Sequence, residues 1–189
     1  GEKALFLSLE EPSGQVIRNM RSIGMDLQRW VDEGLLIVRH LRPSITGLEE
    51  HVAALHMMLD EHPAQVVSLD AVASLTRGVA SFSSASAVAR DISLLRVRGV
   101  TTILTALTGA MDDPHTDVSA SSLVDAWLLV RNVEADGERN RLIMAIKNRG
   151  SAHSNQVREF LLTDDGPQLV DVFIGPDGTV LTGSARAQQ

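Results

Sequence analysis

The first apolar run, Ala4-Leu5-Phe6-Leu7-Ser8-Leu9, is nearly continuous, the pattern of a strand buried on both faces. Glu10-Glu11-Pro12-Ser13 follows, and a proline near a helix start suits the first turn. The predicted helix runs to about Ser22 with Val16, Ile17 and Met20 as its apolar positions, and Gly24 allows a stop. A short second helix is predicted around Leu27 to Trp30, and Leu35-Leu36-Ile37-Val38 reads as the next buried strand. From Gly47 to about His62, Leu48, Val52, Leu55 and Leu59 fall at steps of four, three and four, which makes one apolar stripe, with Thr46 as a candidate cap. Val66-Val67-Ser68-Leu69 is a third strand ending in Asp70. A helix from about Ser83 to Val97 places Val88, Ile92 and Leu95 on one face, and Thr101 to Leu107 is an apolar, β-branched fourth strand. This alternation predicts an α/β fold with a mainly parallel sheet.

The pattern changes in the second half. Ala126 to Glu134 and Arg139 to Arg149 are two β-rich runs around Ala-Asp-Gly-Glu, a hairpin signal. A second hairpin is predicted from Glu159-Phe160-Leu161-Leu162 through Asp164-Asp165-Gly166 to Leu169-Val170, and the tail from Gly175 and Pro176 is expected along the surface. No linker and no internal repeat divides the chain. The expectation is one domain over residues 1–189, a parallel core with antiparallel additions. Its abrupt opening into a strand predicts a domain that is incomplete at the N-terminus.

Composition changes this picture mainly by exclusion. The length of 189 residues suits about one domain. No apolar run approaches the roughly 18 residues of a membrane helix, and without a basic, apolar leader a cytoplasmic location is the default. The absence of cysteine removes disulfides, thiolate metal sites and a cysteine nucleophile. A net charge of −7 argues against a protein built to hold nucleic-acid backbone. The only lysines are Lys3 and Lys147, and neither follows the glycines of a GxxxxGK[ST] phosphate loop, so this sequence contains no P-loop.

Candidate chemistry gathers at strand ends, because ligands of open parallel sheets sit at the carboxyl edge. Glu10 and Glu11, Asp70 and Thr108 are the polar residues expected there. An apolar strand closed by Asp is the Walker B arrangement, whose carboxylate holds Mg²⁺ directly or through water. A neighbouring glutamate can orient or deprotonate the attacking group. The plainer alternative is that these residues cap turns and helix starts. In Arg141-Leu142-Ile143-Met144-Ala145-Ile146-Lys147-Asn148-Arg149, period two places Arg141, Lys147 and Arg149 on one face and Leu142, Met144 and Ile146 on the other. Such a cationic row can reach a phosphate chain, or it can protect a solvated edge strand. The hydroxyl-rich stretch from Thr116 to Ser122 can accept a phosphoryl group or merely cap the next element. His51 and His56 are five apart and do not share a helix face as metal ligands would.

Taken in order, these motifs resemble the KaiC family of RecA-like ATPases, and particularly the second KaiC repeat. The resemblance runs through Leu7-Ser8-Leu9-Glu10-Glu11, Ser22-Ile23-Gly24-Met25-Asp26, Gly47-Leu48-Glu49-Glu50-His51, Ser68-Leu69-Asp70 and Leu75-Thr76-Arg77-Gly78-Val79. It continues in Lys147-Asn148-Arg149-Gly150-Ser151-Ala152-His153, Arg158-Glu159-Phe160, Asp165-Gly166-Pro167 and Gly183-Ser184. The resemblance implies a RecA-like core from which the first strand and P-loop are missing. It implies ATP and Mg²⁺ as ligands, with Glu10 and Glu11 as the catalytic pair and Asp70 as the Walker B aspartate. Lys147 and Arg149 match residues that reach ATP across the subunit boundary of a hexameric ring, with Arg141 and Ser151 beside the nucleotide. Ser121 and Ser122 fall where the clock protein carries its phosphorylated serine and threonine, and Thr116 matches a threonine of phosphoryl exchange. Ile23 replaces a usual aromatic residue, and Ser-Ser replaces Ser-Thr.

Three readings follow. The first is an ATPase and serine/threonine autokinase of a circadian or signalling regulator, assembled with itself and meeting clock or signalling proteins. The second is a non-catalytic interaction module of RecA-like shape. The third, a recombination protein, fits poorly with the negative charge and the 3% aromatic content, which offer little for single-strand stacking.

Overall fold

The computed structural model describes residues 1–41, 48–72, 92–107, 124–135, 137–175, 178 and 180–184. The predicted cap at Thr46, the predicted helix over residues 83–91, and Thr108, Thr116, Ser121 and Ser122 lie outside the described residues. Two compact units divide the chain, Gly1–Thr116 and Asp117–Gln189.

The first unit is built on four parallel strands: β1 (Ala4–Ser8), β2 (Leu36–His40), β3 (Val66–Asp70) and β4 (Thr101–Leu104), in the order β2-β1-β3-β4. Helices α1 (Ser13–Arg21), α2 (Gln28–Asp32) and α3 (Leu48–Glu61) connect them, and residues 92–97 are helical before β4. Alternation decides which residues meet: Leu5 and Leu7 from β1 and Val67 from β3 pack with Leu55 and Leu59 of α3 and with Leu95. Each such side chain taken fully out of water contributes about 1.5–3 kcal/mol. The two stripe positions Leu55 and Leu59 are both buried, as their spacing predicts. No described helix is long and apolar enough to cross a membrane.

Element boundaries move where hydrogen bonds demand it. The predicted strand at Leu35–Val38 becomes Leu36–His40, because the Leu35 N–H closes the end of α2 on the Trp30 carbonyl at 2.9 Å. Pairing with β1 then carries β2 on to the Ser8–His40 register. Beyond α1, Gly24 sits at a φ of 77°, so the chain turns where the sequence predicts a stop.

The second unit is an antiparallel sheet of β5 (Ala126–Ala135), β6 (Glu138–Asn148), β7 (Arg158–Thr163) and β8 (Gly166–Asp171), in that order. Both predicted hairpins form, β5 with β6 and β7 with β8. β9 (Phe173–Ile174) and β10 (Val180–Leu181) form a two-stranded ribbon, so the segment from Gly175 expected along the surface contributes the strand β10. After it, the chain is caught by two carboxylates: Glu159 Oε1 accepts the Gly183 N–H at 3.1 Å, and Glu138 Oε2 accepts the Ser184 N–H at 3.0 Å.

Candidate functional site

The acidic candidates converge at the carboxyl edge of the parallel sheet. Register places Ser8 at the end of β1 directly between His40 of β2 and Asp70 of β3. Alternation puts all three on the same face of the sheet. Thr105, one residue past β4, extends the row, and its hydroxyl donates to Asp70 Oδ1. This row is tied by backbone bonds, with the Leu9 N–H on the Asp70 carbonyl at 2.7 Å and the Leu41 N–H on the Ser8 carbonyl at 2.9 Å.

Glu10 and Glu11 leave β1 at the same edge. Ser8 is fully buried, and its Oγ accepts the Glu11 N–H at 3.0 Å, which sets the path of the loop into α1. Asn19 of α1 donates from Nδ2 to Glu11 Oε2 at 3.1 Å, so the half-buried Glu11 carboxylate is held from the helix. Glu10 is exposed beside it. Sequence reasoning passed over Ser8, Asn19 and Thr105, whose roles depend on which strand end lies next to which. Thr105 fell inside the strand predicted to run to Leu107; β4 ends at Leu104, which leaves Thr105 just past the edge, while the candidate Thr108 lies outside the described residues.

The residues present fit a magnesium ion carried by a phosphate chain. Among the described residues no group of three or more His, Asp or Glu side chains forms a metal cage. Mg²⁺ does not need one, because it keeps several waters and is held through one or two carboxylates together with substrate phosphates. Asp70 supplies such a carboxylate at the edge.

The cationic candidates lie in the second unit, and one part of their predicted arrangement is corrected. Arg141 pairs with Asn132 and Lys147 with Trp127. Residues 127 and 132 point to opposite faces of β5, so Arg141 and Lys147 do as well. The cause is a register shift between Trp127 and Leu128, which face Lys147 and Ala145 and leave Ile146 as an extra residue. A bulge of one residue reverses every alternation beyond it. Lys147 is half-buried and donates from Nζ to the Val124 carbonyl at 3.0 Å, whereas Arg141 is exposed. Arg149 lies just past β6, its N–H on the Asp125 carbonyl at 2.7 Å. Ser151 accepts at Oγ from Asn148 Nδ2 at 2.6 Å across the turn at Gly150, whose φ is 80°. Lys147, Arg149 and Ser151 therefore gather around one end of β6, and Arg141 stands apart from them along the strand.

A model of the KaiC ATPase family matches residues 1–172. The chain belongs to the KaiC family. A circadian clock protein KaiC2 from Synechocystis sp. is 38% identical over 192 residues, covering 100% of this chain and 34% of that protein. The circadian clock oscillator protein KaiC of Prochlorococcus marinus is 30% identical over 91% of this chain and 35% of its own length. That of Synechococcus elongatus is 29% identical over 91% and 34%. The chain thus spans about a third of the length of the curated KaiC relatives it matches.

Proposed function

We propose that this chain forms the greater part of an ATP-hydrolysing KaiC domain that works between subunits of a cytoplasmic ring, a hexamer. The observation that carries the reading is the convergence of Glu10, Glu11 and Asp70 on one carboxyl edge of a parallel sheet, where such sheets bind ligands. Bound Mg²⁺ supplies neutralisation of the charge on the β- and γ-phosphates. Asp70 orients that ion, and Glu10 or Glu11 takes the proton of the attacking hydroxyl or water. Lys147 and Arg149, with Ser151 near them and Arg141 farther along β6, are offered to the nucleotide of the adjacent subunit, where their charge stabilises the phosphoryl group in transit. Ser121 and Ser122 are the proposed acceptors of autophosphorylation, with Thr116 taking part in phosphoryl exchange. Self-association and clock or signalling proteins are the proposed partners.

The test is ATP turnover by the full-length protein that carries this chain. Replacing both glutamates, E10Q with E11Q, is expected to lower turnover by about 10²–10⁴-fold, the usual contribution of a positioned base, while nucleotide still binds. K147A is expected to lower turnover with nucleotide binding retained. Wild-type turnover in the double glutamine variant would remove the pair from catalysis. A full-length protein that binds no nucleotide would leave a RecA-like interaction module in place of the enzyme.

A further inference from the structure

We infer that Thr105 is a positioning residue: its hydroxyl locks the Asp70 carboxylate in the orientation that meets the metal of the nucleotide. The inference rests on the reading of Asp70 given above. A strand-terminal aspartate turns about two side-chain bonds, so its oxygens point usefully only when a neighbour holds them. Thr105 is built to be that neighbour. Its N–H donates to the Leu69 carbonyl at 3.1 Å, and its own carbonyl accepts the Val72 N–H at 2.8 Å. The turn that leaves β3 is thus closed on Thr105 from both sides, and Asp70 lies between the two tie points. The Thr105 side chain is therefore placed by the same turn that places Asp70, although β4 itself ends at Leu104.

The hydroxyl carries one proton and has two acceptors in reach, Asp70 Oδ1 and, at 3.5 Å, the Leu69 carbonyl. The carboxylate is the charged and nearer acceptor, and charge-assisted bonds are roughly twice as strong as neutral ones. The proton goes to Asp70. Outer groups that hold a metal-directed side chain in this way typically change metal affinity or activity by 10–100-fold when removed.

The experiment compares ADP affinity in Mg²⁺ and in EDTA for the full-length wild-type protein and the variants T105V, T105A, T105S and D70N. T105V keeps the shape of threonine and removes the donor, and T105A removes it without adding bulk at the edge. Both are expected to raise the Mg²⁺ concentration for half-maximal enhancement of binding about 10-fold or more. T105S, which retains the donor, is expected to keep the wild-type value, and the affinity in EDTA is expected to be the same in wild type and the three Thr105 variants. Equal loss of affinity in Mg²⁺ and EDTA would show a merely structural residue and overturn the inference. So would a wild-type Mg²⁺ response in T105V and T105A beside a weakened D70N. A wild-type Mg²⁺ response in D70N itself would instead overturn the reading of Asp70, which is a separate result.

Discussion

The two units of this chain hold themselves together by different means. In the first, two layers meet: the odd positions of β1 and β3 pack on α3 and on the helical residues before β4. Among the described residues, every buried apolar side chain except Leu142 lies in that unit. The second unit is built on a four-stranded antiparallel sheet and a two-stranded ribbon, and its buried side chains include Glu159 and Thr182. Leu128 and Val130 in β5 and Leu162 and Leu169 in the β7–β8 hairpin stand 43–65% exposed on one face. The contrast teaches where chemistry can be written into each kind of structure. At a parallel edge a residue needs only to follow the last residue of a strand. Within an antiparallel ladder it needs the correct face, which depends on register.

The largest expected effect tests the first half of that contrast. L7A empties a fully buried position and is expected to cost about 2–5 kcal/mol in denaturant unfolding. L128A, at a position 65% exposed in the second unit, is expected to stay within about 0.5 kcal/mol. Equal losses in the two variants would break the comparison.

Next comes the polar clamp of the second unit. Gly183 adopts a φ of 56°, and a Cβ there would run into the Glu138 carboxylate and Asn140. G183A is expected to destabilise by at least about 1–2 kcal/mol from the left-handed backbone alone. Thermal unfolding of wild type and variant checks it; an unchanged midpoint would show that the clamp does not hold the segment.

The smallest effects are the pH dependences, which fall in separate windows. Burial, with the nearby Lys3 charge second, lowers the His62 pKa from its ordinary 6.5. The folded state therefore prefers neutral imidazole, and the unfolded state binds more protons as pH falls. This contribution is complete above about pH 6.5 and is lost below it, through the lowered folded value. Hydrogen bonds from the Ser184 side chain and backbone, and then from Asn140, lower Glu138 from its ordinary 4.5. Its contribution is complete above about pH 4.5 and is lost as pH falls through the folded value. H62Q should flatten the stability profile in the first window and E138Q in the second. Either variant flattening the other's window would break the assignment.

Much of the fold was legible in the chain because its signals are local. Apolar runs marked β1 to β4, the stripe through Leu55 and Leu59 marked α3, and Ala-Asp-Gly-Glu marked the β5–β6 turn. Glu10, Glu11 and Asp70 could be placed at one edge because Asp70 closes one apolar strand and the two glutamates come within three residues of the end of another, and parallel order then aligns the strand ends. The grouping of Arg141 with Lys147 was not legible in the same way. Period two holds only for an uninterrupted strand, and nothing in Ala145-Ile146-Lys147 announces the extra residue that β5 leaves opposite no partner.

Sequence alone thus determined the kinds and order of the elements from β1 to β8 and the acidic character of the parallel edge, since each follows from residues within one or two turns of chain. Tertiary structure decided the face on which Lys147 lies, the hold of Thr105 on Asp70 and the capture of Gly183 and Ser184 by two glutamates. These depend on contacts between residues tens of positions apart, which no local pattern encodes; they exist only once the strands have chosen their register.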